Sequence, residues 1–309
     1  MSLSVILQQM GVICILVGIG IGLQKKSVID PATSPKLSAI VVDVCNPALI
    51  MASILSGDIT ASHEDLLIAG ALGAAFYLLL ILLGFILPRI LKVPRDERRF
   101  YNLMCVYTNT GFLGIPVARA ILPANAILYV IVINIFYSLL FYTHGLTVLG
   151  RGKNVSKRPS LLRIINPGTV MAVLSLVVFW FKLELPPILK NTIEYIGNAT
   201  VFLSMALLGV FIARSRFFSC FKNLRIWLFI LLRLVALPVA IVFVMRALSF
   251  DPTATLAMCL MAAVPVGNLP MIQAEKNGDD TKLLSSAIAV TTVFSILSIT
   301  VLMAVFSAV

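Results

Sequence analysis

The chain alternates long apolar runs with short polar loops. Ten of these runs are about 20 residues long, the length that an α-helix needs to cross the hydrocarbon core of a bilayer. They are Leu3–Leu23, Leu37–Leu55, Leu66–Leu87, Arg99–Leu122, Ala126–Leu149, Leu162–Phe181, Ile193–Ile212, Ile226–Met245, Thr253–Ala274 and Leu283–Val309. The pattern predicts an all-α integral membrane protein with ten transmembrane helices, numbered helix 1 to helix 10 below.

Composition excludes the soluble classes. Of the 309 residues, 60% are hydrophobic and 12% are charged, whereas a soluble domain has roughly 25% charged residues on average. The sequence has no HExxH, GxSxG or Walker A motif, and its five cysteines and two histidines lack metal-ligand spacing. We therefore expect a lipid bilayer as the environment, no enzymatic activity, and no bound metal or cofactor.

The basic residues predict the orientation. Of 24 Lys and Arg residues, 19 lie in loops on one side of the predicted membrane and four on the other, and Arg233 lies within a span. Because cytoplasmic loops carry an excess of Lys and Arg, this asymmetry predicts a protein of the cytoplasmic membrane with both termini outside the cytoplasm. The net charge of +11 is then a topology signal, and we expect no nucleic-acid partner.

Two halves of the chain resemble each other. At an offset of 154 residues, Met104-Cys105 matches Met258-Cys259 and Pro116 matches Pro270. This predicts two repeats, residues 1–154 and 155–309, with five helices each. Since five is an odd number, the second repeat enters the membrane upside down relative to the first. Inverted repeats of this kind are typical of secondary transporters.

Helices 4 and 9 combine Gly, Pro and Asn near their middle. These interruptions lie within Asn109–Pro116 and Pro265–Pro270. Non-helical backbone at membrane depth is tolerated only inside protein or beside water, and half-helix N-termini attract anions. Matching interruptions in both halves predict a substrate site. Ordinary proline kinks are the alternative.

Residues Asn109–Pro116 resemble the fourth-helix motif of the auxin efflux carrier family, which includes plant auxin exporters and bacterial malonate and malate carriers. Asn46–Leu49, Arg233–Pro238 and Pro265–Glu275 are similar to its motifs in helices 2, 8 and 9. The resemblance implies a scaffold of helices 1, 2, 6 and 7, and a transport domain of helices 3–5 and 8–10 in which helices 4 and 9 cross at their breaks. It also implies elevator-like transport of a small organic anion, and a homodimer formed through the scaffold.

The candidate substrate contacts are polar or helix-breaking residues in or near these motifs. They are Asn109, Thr110, Gly111 and Pro116 in helix 4, Pro265, Asn268 and Pro270 in helix 9, Asn134 in helix 5, Asn46 in helix 2 and Asn198 in helix 7. Asn109 and Thr110 would orient a carboxylate beside exposed backbone amides, and the family has a substrate contact at the position of Asn109. The alternative is structural: these side chains would bond carbonyls freed by the kinks, or join helices to one another.

Two ionisable residues inside apolar spans, Asp43 and Arg233, are the coupling candidates, because such groups are costly in a membrane and often functional. One hypothesis is that they pair in one state of the transport cycle and separate in another. The alternative for Arg233 is that its side chain snorkels to the interface. The coupling ion stays open between protons, sodium and none.

Other functions compete with anion transport. A monovalent cation/proton antiporter or a sodium-coupled symporter of related architecture would need acids or further oxygen ligands near the crossing, and neither break contains an acid. A non-transporting membrane sensor is the alternative from another class. The lack of a soluble output domain argues against it.

Overall fold

The structure, a computed structural model, describes residues 3–55, 60, 62–150, 165–215 and 224–307. These residues are almost entirely helical, because a helix satisfies its backbone hydrogen bonds internally where lipid offers no partners. Within this part of the chain, the one pairing of β type is an antiparallel bridge between Thr108 and Val266.

Fifteen α-helices and four π-helical segments make up the described chain. The α-helices are α1 Leu3–Lys25, α2 Thr33–Ile40, α3 Asn46–Leu55, α4 His63–Ile90, α5 Arg98–Val106, α6 Ile115–Ile121, α7 Ala126–Leu140, α8 Leu146–Gly150, α9 Pro167–Phe181, α10 Pro187–Arg214, α11 Leu224–Leu231, α12 Leu237–Ala247, α13 Pro252–Ala263, α14 Leu269–Lys276 and α15 Lys282–Ser307. The π-helical segments are π1 Val41–Cys45, π2 Thr110–Gly114, π3 Phe141–Gly145 and π4 Leu232–Ala236.

Seven helices of the described chain are long and apolar enough to cross a membrane, and three shorter apolar helices accompany them. The shorter ones, Thr110–Ile121, Pro167–Phe181 and Pro252–Ala263, fall in predicted helices 4, 6 and 9. The protein is therefore an all-helical, multi-pass membrane protein. The count of ten spans stays a prediction.

Some predicted features lie outside the described residues. They are the start of helix 6 at Leu162, the end of helix 10 at Val309, and most of the basic loops that follow helices 5 and 7. The positive-inside argument thus rests on the sequence for those two loops.

Prolines explain three of the four π-helical segments. Pro47, Pro116 and Pro238 each follow the last residue of π1, π2 or π4 by two positions. Proline has no backbone N–H and its ring clashes with the carbonyl four residues earlier, so the helix locally widens. The fourth segment, π3, has no proline. There the Tyr107 hydroxyl donates a hydrogen bond to the carbonyl of Leu140 at 2.8 Å, and a side chain inserted into the helical ladder has the same effect.

The helices pack in two groups. In the first, α1 lies along α10, α10 packs on α3, and α3 packs on α9. The pair α1 and α10 approaches closely at glycines: a Cβ atom on Gly20 would lie 2.1 Å from the carbonyl oxygen of Ala206, and one on Gly209 would lie 2.1 Å from that of Val17. In the second group α4 packs on α5 and α7, while α13 packs on α7, α12 and α15.

Candidate functional site

Two broken helices meet in the interior of the protein. The first break, Tyr107–Asn109, separates α5 from π2, and the second, 264–268, separates α13 from α14. The Asn109 N–H donates to the carbonyl of Pro265 at 2.8 Å, and the Gly267 N–H donates to the carbonyl of Tyr107 at 3.0 Å. A Cβ atom on Gly267 would lie 2.9 Å from both the Tyr107 and Thr108 carbonyl oxygens, so glycine permits this close approach.

The two hydrogen bonds relate the breaks by an approximate two-fold operation. This operation pairs residue 107 with 265 and residue 109 with 267, an offset of 158 residues. This local offset differs by about one helical turn from the offset of 154 read from the sequence, which stays a prediction. In the local pairing, Thr110 in π2 corresponds to Asn268.

Arg233 binds the ends of both half-helices that lead into the crossing. Its Nε atom donates to the carbonyl of Cys105 at 3.0 Å, and its Nη1 atom donates to the carbonyl of Ala262. These carbonyls belong to the last turns of α5 and α13, which lack intrahelical partners and carry the negative ends of the helix dipoles. One guanidinium thus caps two helices that would otherwise expose unsatisfied carbonyls in the interior.

The coupling candidates are placed differently from the prediction. Arg233 is 2% exposed, so the snorkelling interpretation is wrong. Asp43, in π1, is exposed. The two side chains do not pair in this conformation, because the guanidinium of Arg233 is buried against backbone carbonyls while the Asp43 carboxylate lies at the surface of the chain.

A cavity of about 80 Å³ lies beside the crossing. Six of the predicted contacts line it: Asn46, Asn109, Thr110, Gly111, Asn134 and Asn268. Gly111 admits a close approach from the first helix group, since a Cβ atom there would lie 3.0 Å from the Nδ2 atom of Asn46. The cavity therefore lies between the two helix groups.

Several polar atoms at this cavity have no hydrogen-bond partner among the described residues. Asn109 is 3% exposed, and its Oδ1 atom accepts from the Phe112 N–H at 3.2 Å, but its Nδ2 atom is unpaired. Asn268 is equally buried and both of its side-chain polar atoms are unpaired. By contrast, the Thr110 hydroxyl donates to the Oδ1 atom of Asn134 at 3.0 Å. Buried amides without partners are rare in proteins, and here they gather at one cavity.

Four of the predicted contacts do not line this cavity. Pro116 is at the start of α6 and Pro270 is the second residue of α14, where proline is well tolerated. The break at Tyr107–Asn109 lies upstream of Pro116, and the break at 264–268 lies upstream of Pro270. Pro265 contributes its carbonyl to Asn109, and Asn198 is exposed on α10.

Sequence reasoning missed five polar residues at the cavity. They are Thr108, Tyr137, Ser138, Tyr142 and Asn166. Tyr137 and Ser138 follow Asn134 by three and four positions, so helical spacing could have placed them on the same face of α7. Asn166 caps the N-terminus of α9 by accepting from the Thr169 N–H at 3.1 Å, and nothing in its local sequence indicates a cavity.

A multi-pass helical protein whose two broken helices cross beside a buried polar cavity has the architecture of a membrane transporter. A family model described as membrane transport protein matches residues 5–303. The chain therefore belongs to this family of membrane transporters, the auxin efflux carrier family.

Two archaeal proteins are similar to the chain over most of its length. An uncharacterized transporter of Methanocaldococcus jannaschii is 24% identical over 274 residues, covering 85% of this chain and 86% of the relative. An uncharacterized transporter of Methanothermobacter thermautotrophicus is 25% identical over 307 residues, covering 93% of this chain and 94% of the relative. Both relatives agree with the membrane-transporter class.

Proposed function

We propose that this transporter moves a small organic carboxylate across the cytoplasmic membrane, with the substrate bound at the cavity beside the crossing. The observation that carries the proposal is that four half-helix ends meet at the crossing and that two of them border a cavity whose described lining is uncharged. The two C-terminal ends are capped by Arg233. The two N-terminal ends, at Thr110 and Leu269, are the positive ends of their dipoles and border the cavity.

The side chains at the cavity support an anion over a cation. Among the described residues that line it, none carries a carboxylate. The unpaired Nδ2 atoms of Asn109 and Asn268 are hydrogen-bond donors, and a carboxylate is an acceptor only. The unpaired oxygens of Asn46 and Asn268 are possible cation ligands, but the antiporter alternative would also place an acid beside the crossing, and the described lining carries none.

The proposed mechanism is an elevator-like movement. The first helix group, which contains α1, α3, α9 and α10, would be the scaffold, and the group with the crossing would be the moving transport domain. The cavity lies between Asn46 and Asn166 of the first group and the broken helices of the second, so sliding of one group against the other would expose it to either side. The proposal also includes ten spans in two inverted repeats, residues 1–154 and 155–309. It further includes termini that face outward and a homodimer formed through the scaffold.

Transport by purified protein in liposomes tests this function. Vesicles are loaded with unlabelled malonate, malate or an aromatic carboxylate, and uptake of the same labelled acid is measured. Anion uptake or exchange is expected. Exchange of sodium or potassium for protons, without anion flux, would instead indicate a cation/proton antiporter. If none of the three acids and neither cation crosses the membrane, the result would favour a non-transporting sensor.

A further inference from the structure

A second, larger cavity lies at the far end of α5 from the crossing. Its volume is about 400 Å³, and it is formed by the last turns of α4, the loop into α5, and α8. It shares no lining residue with the cavity at the crossing, and roughly 6 Å of helix separates Asn102, its innermost residue on α5, from the end of α5 at Val106. It is therefore distinct from the proposed substrate site.

One side chain in this cavity is buried without a partner. Asn102 is 3% exposed, and neither its Nδ2 nor its Oδ1 atom has a hydrogen-bond partner among the described residues. Gly84 on α4 makes room for it, since a Cβ atom there would lie 2.8 Å from Nδ2 of Asn102. Burying an amide without partners is unfavourable, so the site favours a ligand with polar atoms.

Four arginines line the same cavity: Arg89, Arg95, Arg98 and Arg99. Their positive charge is opposed by Asp96 in the cavity and by Asp279, which pairs with Arg99 at 2.8 Å. Four guanidinium groups against two carboxylates leave a charge of +2.

Backbone hydrogen bonds hold Arg98 and Arg89 in position without using all of their donors. The Nε atom of Arg98 donates to the carbonyl of Val93 at 2.9 Å, and Arg89 donates to the carbonyl of Phe85. Each guanidinium has five N–H donors, so these backbone bonds orient the groups and leave further donors for a ligand.

We propose that this cavity binds a phosphate group. A phosphate carries up to two negative charges and several acceptor oxygens, which matches both the charge of +2 and the spread of guanidinium forks. Two sources share this chemistry: a soluble phosphate compound and the headgroup of an anionic phospholipid. Arg89 lies in the last turn of the long apolar helix α4, the depth at which lipid headgroups meet the protein.

Thermal unfolding of the purified full-length protein tests the site. Unfolding is followed in inorganic phosphate and in chloride at equal ionic strength and pH, for the wild type and for Arg95→Gln, Asn102→Leu and the control Arg246→Gln. Arg246 is an exposed arginine on α12, outside the cavity. We expect phosphate to raise the Tm of the wild type and of the control. Arg95→Gln should need about tenfold more phosphate for the same shift, since one charge-assisted hydrogen bond is worth roughly that factor. Asn102→Leu should lose the shift.

A second measurement separates the two sources. The same variants are reconstituted with phosphatidylglycerol or with phosphatidylcholine, and the lipid retained through purification is quantified by mass spectrometry. Retention of phosphatidylglycerol that falls in Arg95→Gln, without a response to free phosphate, identifies the lipid headgroup as the ligand.

The proposal fails if free phosphate acts as chloride does and the protein shows no preference for phosphatidylglycerol. It also fails if the two cavity variants respond as Arg246→Gln does. Without phosphate, Asn102→Leu should unfold at the wild-type temperature or above, because it removes a buried amide that has no partner. Should that variant not fold, Arg95→Gln decides the question, since its side chain is exposed.

Discussion

The Nε atom of Arg233 lies 3.0 Å from the carbonyl oxygen of Cys105, near the end of α5. The same guanidinium reaches the carbonyl of Ala262 near the end of α13. A single residue of π4 therefore joins the two broken helices. Its positive charge offsets the two negative dipole ends, and the positive ends are left to face the cavity.

Removal of this cap should destabilise the crossing. Arg233→Gln leaves at least one buried carbonyl without its charged donor, and we expect a loss of about 2–4 kcal/mol of folding stability. Thermal unfolding of the purified variant measures it, with Arg246→Gln as the control for the loss of one arginine. A variant that unfolds and transports as the wild type does would show that the two carbonyls need no cap. Because Asp43 is exposed, the charge swap Asp43→Arg with Arg233→Asp should not restore the stability that Arg233→Asp loses.

Pro238 should contribute to folding stability by fixing the position of Arg233. Pro238→Ala restores a backbone N–H and allows π4 to become α-helical, which would turn Arg233 by about 100° around the helix axis. We expect Pro238→Ala to lower the Tm, although alanine is the better helix former. In a double-mutant cycle with Arg233→Gln, the double variant should be no less stable than Arg233→Gln alone. Pro187→Ala, at the start of α10, is the control. Additive losses would mean that the proline acts independently of the arginine.

Close packing of α1 on α10 predicts that alanine substitutions at two nearby glycines of α1 have very different effects on folding stability. The Cβ atom of Gly20→Ala would lie 2.1 Å from a backbone oxygen of α10, whereas one at Gly18 has nothing within 4 Å. We expect Gly20→Ala to cost about 1–3 kcal/mol as the helices move apart, and Gly18→Ala to cost nothing. Thermal unfolding of both variants in the same detergent compares them. Equal melting temperatures would contradict the close packing.

Asp43 is the remaining candidate for proton coupling. If the substrate moves with a proton, Asp43→Asn should abolish accumulation driven by a pH gradient and spare the exchange of labelled for unlabelled substrate. Asp30→Asn, in the loop before α2, is the control for the loss of a carboxylate. Accumulation by Asp43→Asn with the wild-type pH profile would remove Asp43 from the mechanism.

Some of these structural features could be predicted from local sequence, and others could not. The apolar runs of α1, α4 and α10 indicate membrane helices because hydrophobic length is a property of each segment alone. The Gly, Pro and Asn clusters likewise led to Asn109 and Asn268. The partners of Arg233 could not be predicted, because they are backbone carbonyls 128 and 29 positions away, and a carbonyl has no sequence signature. The position of the first break was hidden for a related reason: the sequence locates Pro116, but the backbone contacts of Tyr107–Asn109 with the second break lie upstream of it.

The sign of the substrate charge can be tested at Asn109. Its Oδ1 atom caps π2 through the Phe112 N–H, and its Nδ2 atom is the unpaired donor at the cavity. Asn109→Asp keeps the capping oxygen, which aspartate supplies as well as asparagine, and replaces the donor with a negatively charged acceptor. The helix cap is therefore kept, although a carboxylate at this buried position should lower folding stability. Carboxylate binding should weaken by at least about 1–3 kcal/mol through the lost hydrogen bond, and further through charge repulsion. Calorimetry on the folded protein measures the affinity, and Asn198→Asp adds the same charge at an exposed position outside the cavity. An unchanged carboxylate affinity would reduce Asn109 to a capping residue, and saturable binding of sodium or potassium by the wild type, with no carboxylate binding, would reverse the proposed charge of the substrate.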